Sequence, residues 1–149
     1  MTTTTPPLLN PRVIALAHYA ARAVLEQVLA RHDLTFQQSV TLRLAAVADG
    51  PVEREHIVDG VVGSLKIDTT EASAVVDGLI AAQLLAPQEP SQLRITDAGR
   101  ELYDTTSAAT APISARVYAD IAEEDLAVAG RVLTLITERA NAELAALNS

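Results

Sequence analysis

Apolar residues recur at three- and four-residue spacing through most of this chain, the mark of packed amphipathic helices. Asn10 ahead of Pro11 reads as an N-cap and a first helical position. The helix they open should run to about Arg31. Its apolar positions are Val13, Ile14, Leu16, Ala17, Ala20, Ala21, Val24, Leu25, Val28 and Leu29. That stripe is too wide for a helix lying on one small core, so burial on two sides is expected, partly against another subunit. Residues 1–9, rich in Thr and Pro, read as a loose arm. Leu34-Thr35 opens a second helix with Val40, Leu42, Leu44, Ala45 and Val47, stopping at Asp49-Gly50, where glycine suits a left-handed cap. A third helix is expected from Pro51 to near Leu65, with Gly60 and Gly63 inside it or at its edge.

The pattern changes between Ser64 and Arg100. Ile67-Asp68-Thr69-Thr70 offers several N-caps for a fourth helix. Ala72, Val75, Val76, Leu79, Ile80 and Gln83-Leu84 give it one apolar face. Capping by Thr69 or Thr70 is expected. Pro87 and Pro90 forbid continuation. Gln88 to Gln92 makes a tight turn, and Leu93-Arg94-Ile95 alternates as a strand. Thr96 then caps another helix, with Asp97 favourably placed in its first turn. Helix, hairpin and helix in so short a span describe a winged helix. Beyond it the chain is helical again, with a kink or break expected at Pro112. An acidic first turn, Glu123-Glu124-Asp125, opens a long last helix ending near Leu147.

The 149 residues suit one domain with a real core. Cysteine is absent, which excludes disulfides and thiolate metal sites. His18, His32 and His56 lack metal-ligand spacing, and no cofactor is implied. No nucleophile elbow, phosphate loop or histidine paired with a motif acid supports catalysis, so the chain reads as a non-enzyme. The start MTTTTPPLLN lacks the charged and apolar segments of an export signal, and no run of 18 apolar residues occurs. The cytoplasm is the expected location. The net charge is −8. Between Ser64 and Asp104, the bases Lys66, Arg94 and Arg100 face seven acids: Asp68, Glu71, Asp77, Glu89, Asp97, Glu101 and Asp104. A surface of that sign repels phosphate unless its acids point elsewhere.

Three local patterns in register resemble the multiple-antibiotic-resistance regulator (MarR) family of winged-helix transcription factors over roughly residues 10–147. They are Leu34-Thr35-x-x-Gln38-x-x-x-Leu42, Ile67-Asp68-x-Thr70-x-x-Ser73-x-Val75-Val76-Asp77-x-Leu79 and Ile95-Thr96-Asp97-Ala98-Gly99-Arg100. The resemblance implies a mainly α winged helix-turn-helix (α+β) of six helices and a short two-stranded β-wing in a single domain, 1–149. Residues 34–104 would form the winged helix-turn-helix, and 10–32 and 105–147 the dimerisation helices. It also implies a homodimer that binds a palindromic operator in double-stranded DNA and releases it to a small ligand. Three features depart from the family: Ala74 and Gly78 replace basic residues, Gln88 to Gln92 forms a wing tip without a cation, and Gln83 replaces a glycine. The acidic charge of this region and its shortened wing motivate the alternative of a dimer that has lost ordinary DNA binding and works as a ligand sensor or protein-interaction module.

On this reading Thr69, Thr70 and Ser73 meet DNA through hydroxyls and helix N-terminal N–H groups. Arg94 on the wing, with Lys66 and Arg54 at helix ends, supplies cations for phosphate or groove. Arg94 and Arg100 each reach a phosphate or pair with Asp97, Glu101 or Glu89. His18, Tyr19, Arg22 and Arg43 border the family's ligand groove and suit a small aromatic or carboxylate ligand. For these four, ion-pairing or packing is the competing role.

Overall fold

The computed structural model describes residues 5–149. Its elements are α1 (Pro11–Ala30), α2 (Phe36–Ala46), β1 (Val52–Glu53), α3 (Arg54–Leu65), α4 (Thr69–Ala81), β2 (Leu85–Gln88), β3 (Gln92–Ile95), α5 (Asp97–Val117) and α6 (Glu123–Leu147). Of the expected arm, residues 1–4 lie outside the described residues, and 5–9 are exposed and form no helix or strand. The chain divides into two compact units, one ending at Ala111 and the other Pro112–Ser149.

Local chemistry sets the helix starts. The Asn10 side chain accepts the Val13 N–H at 2.9 Å. Thr35 and Gln38 form a reciprocal capping box, each side chain bonded to the other's backbone N–H. Asp68 caps α4 by accepting the Glu71 N–H at 2.7 Å. Thr69 and Thr70 are therefore the first helical residues and not the caps, because the carboxylate one position earlier takes the free N–H. Thr96 caps α5, its hydroxyl accepting the Gly99 N–H at 2.9 Å.

The sheet has three antiparallel strands in the order β1-β3-β2, not the two expected. Val52 pairs with Leu93 and Glu53 with Gln92, so the segment anticipated as the start of a helix is a strand, and α3 begins only at Arg54. Pairing with a strand some forty residues away overrides the helical preference of that short run. Pro87 sits within β2 opposite Leu93, on an edge strand where its missing N–H is tolerated. α2 ends at Ala46, before the expected Asp49, and its cap Val47 is right-handed; no described glycine has positive φ, so Gly50 is not a left-handed cap. α4 ends at Ala81, before Gln83 and Leu84. Pro112 lies inside α5, which continues to Val117 without the expected break.

The core of the first unit is closed. Leu29, Leu42, Ala45, Ile57, Val61, Ala72, Val76, Leu79, Leu85 and Leu93 are buried together. Helices α2, α3 and α4 meet there, with the β2–β3 hairpin folded against them. Gly99 permits a close approach at one edge: a Cβ there would lie 2.2 Å from the Leu84 carbonyl oxygen. This accounts for the glycine in the Thr-x-x-Gly pattern. By length and composition alone, α1 is the one described helix long and apolar enough to cross a membrane. It carries an Arg22–Glu26 pair, and its Val28 and Leu29 enter the core of the first unit.

Candidate nucleic-acid interface

α4 shows one face to its own core and another to solvent. Ala72, Val76 and Leu79 are fully buried. Thr70, Ala74, Asp77 and Ala81 are exposed, and their spacing of four, three and four places them in one outer stripe. Asp77 is the only ionisable residue of that stripe. Thr69 and Thr70 lie exposed in the first turn, whose N–H groups have no partner within the helix apart from that of Glu71, taken by Asp68.

Ser73 is half-buried and engaged. Its hydroxyl accepts a hydrogen bond from Arg54 Nη2 at 2.8 Å, and its carbonyl accepts from the same nitrogen at 3.3 Å. The same Nη2 donates to Asp77 Oδ1 at 2.8 Å. Arg54 and Ser73, both expected to meet DNA, thus meet each other. The backbone N–H of Arg54 donates to the wing carbonyl of Ser91 at 3.0 Å, and the Ser91 hydroxyl bonds the Glu53 carboxylate. Arg54 therefore joins α3, α4 and the wing.

The other cations differ from one another. Lys66 adopts a left-handed conformation after α3, and its Nζ donates to the Gly63 carbonyl at 2.7 Å. Arg100 Nη1 donates to the Ala46 carbonyl at 2.8 Å, closing the end of α2. It pairs with none of Asp97, Glu101 or Glu89 among the described residues. Arg94 is exposed on β3. Among the described residues the side-chain ion pairs are Arg22–Glu26 and Arg54–Asp77, so Arg94 pairs with no carboxylate. Between the wing and the starts of α3 and α4 lies a cavity of about 760 Å³, where Glu53, Glu55, Asp59 and Glu89 outnumber the single cation Arg54.

The expected ligand residues separate into two places. His18 packs edge-on to Phe36, with ring centroids 6.5 Å apart, and lies 6.1 Å from the Tyr19 ring. Arg22 stacks over the Phe36 ring at 4.2 Å and pairs with Glu26 at 2.6 Å. A cavity of about 390 Å³ beside them is lined by Arg22, Glu26, Leu34, Thr35, Phe36 and Gln37. Arg43 stands in the last turn of α2, roughly 10 Å along the helix from Phe36. It does not join the cluster. Phe36, the only phenylalanine, is the member that spacing along α1 did not reveal.

No family profile matches this sequence, and no curated protein does. Solved structures do match. The Staphylococcus aureus MarR in complex with salicylate and kanamycin is 18% identical, with TM-score 0.74 over 89% of this chain and 90% of that one. CouR from Rhodococcus jostii RHA1, bound to p-coumaroyl-CoA, is also 18% identical, with TM-score 0.71 over 84% and 88%. A MarR-family transcriptional regulator from Rhodococcus sp. RHA1 is 19% identical, with TM-score 0.71 over 84% and 91%. The chain has the MarR fold.

Proposed function

We propose that this protein is a dimeric, cytoplasmic transcriptional regulator that sets α4 of each protomer into a major groove of a palindromic operator. A small ligand then favours the released state. The single observation that carries this reading is the uncovered outer stripe of α4, with the N-terminal turn at Thr69 and Thr70 open to solvent. That stripe is at most mildly charged, so hydroxyls, backbone N–H groups and the unpaired Arg94 supply the contacts. Lys66 adds a cation at the α3–α4 turn, while Arg54 and Ser73 begin from an internal engagement.

Dimerisation is supported by apolar residues left in solvent. On α1 these are Leu16, Tyr19 and Val24; in the second unit they are Val117, Tyr118, Ile121, Val128, Leu133, Leu135, Ile136, Leu144 and Leu147. So much exposed apolar surface is unusual for a monomer. A ligand would lie at His18, Tyr19, Arg22 and Phe36, where a cation over a ring suits a small aromatic carboxylate. The likeness to proteins solved with salicylate and with p-coumaroyl-CoA supports that chemical class. Arg43 stays a candidate only for a larger molecule reaching along α2.

A second reading, a sensor or protein-interaction dimer without ordinary DNA binding, is favoured by Asp77 at the centre of the outer stripe and by the acid-lined cavity beside the wing. One titration separates the two. Fluorescence anisotropy with a labelled duplex from the region upstream of the protein's own gene should show binding that weakens steeply with salt. Arg94→Ala should lower the slope of log affinity against log salt by about 0.9, the loss of one phosphate contact. No binding at low salt by the ligand-free protein would transfer the assignment to the second reading.

A further inference from the structure

Arg54 and Asp77 stand 23 residues apart in sequence and meet on the outer side of α4. We propose that Asp77 sets the protein's DNA affinity by occupying the Arg54 guanidinium in place of a backbone phosphate. The proposal rests on the regulator reading above. Three observations carry it. The Asp77 side chain is 66% exposed and that of Arg54 34%, so the carboxylate lies where an incoming phosphate would arrive, with the guanidinium beneath it. Exposed pairs of this kind are weak and readily exchanged, and carboxylate and phosphate oxygens compete for the same guanidinium donors.

Second, Arg54 does not depend on Asp77 for its position. Its side chain also bonds the hydroxyl and carbonyl of Ser73, and its backbone N–H is held by Ser91 of the wing. Once released from Asp77, the guanidinium would stay at the junction of α3, α4 and the wing. Third, no other ionisable side chain shares the outer stripe, since Thr70, Ala74 and Ala81 carry no charge. Glu71, on the same helix, is bonded instead by Gln37 Nε2 of α2 at 3.0 Å. The sign of the stripe is therefore set by one residue, and the cation that offsets it is the one that phosphate would recruit.

The test compares the wild type with Asp77→Asn, Arg54→Ala and the double variant on the upstream duplex, with a random-sequence duplex as control, across a series of KCl concentrations. Asparagine keeps the shape of the side chain and an acceptor for Arg54 while removing the charge. Asp77→Asn is expected to tighten binding roughly tenfold and to steepen the salt slope by about 0.9, as one further phosphate contact requires. The double variant should return to the wild-type slope, because the released guanidinium is gone. Unchanged affinity in Asp77→Asn, or a gain that persists in the double variant, overturns the proposal; the latter would mean simple relief of repulsion at Asp77. If the wild type binds and Asp77→Asn merely equals it, the regulator reading stands and this one falls. If none of the four binds either duplex at low salt, both fall. Far-ultraviolet circular dichroism confirms that each variant is folded, and Asp77→Ser replaces Asp77→Asn if the latter melts early.

Discussion

α4 and α6 are both helices with regularly spaced apolar residues, yet they meet different surroundings. Three of the 13 residues of α4 are fully buried, and they lock it between α2, α3 and β2. None of the 25 residues of α6 is buried, although Leu133, Leu135, Ile136 and Leu144 are each about two-fifths exposed. Hydrophobic spacing alone does not say which chain will cover a face. The comparison marks where this chain satisfies its own apolar surface and where the proposed dimer would supply a second copy to cover it.

The largest expected effect lies on the α4 side. Leu79→Ala removes a fully buried side chain and should cost about 3 kcal/mol in a urea unfolding curve. A cost near zero would mean that this core is not the cooperative centre of the first unit. On the α6 side, the double change Leu133→Asp with Ile136→Asp should leave the helical signal of the first unit intact while shifting the mass from dimer to monomer by light scattering. A wild type that is already monomeric at high concentration would break the comparison, leaving α6 exposed with no partner. The smallest effect sharpens the end of α4. Gln83 holds φ at 62°, a left-handed conformation that costs L-residues other than glycine about 1 kcal/mol. Gln83→Gly should raise stability by a comparable amount, read as a higher midpoint of thermal unfolding. Loss of stability there would show that the Gln83 side chain contributes packing worth more than the strain.

What was legible in the chain was local. Asn10, Thr35 with Gln38, and Thr96 act on N–H groups three residues away, so their caps can be read within one helical turn. The apolar spacing of α1, α4 and α6 is local for the same reason, and with the turn at Gln88 to Gln92 it was enough to imply a winged helix. Candidate DNA residues were less legible. Thr69, Thr70 and Arg94 stand exposed, but Arg54 bonds Ser73 and Asp77 and Arg100 bonds the end of α2, contacts that no spacing announces.

The amino-acid order by itself determined the starts of α1, α2 and α5, which faces are apolar and that a hairpin separates α4 from α5. Each of these depends on interactions spanning a few residues. Tertiary structure alone decided that Val52-Glu53 would be a strand against Leu93 and Gln92, that Gln83 would take a left-handed turn, and that Asp77 would meet Arg54. Those outcomes require distant segments to arrive at one place, and the free energy that settles them comes from packing and pairing, which no short window of sequence contains.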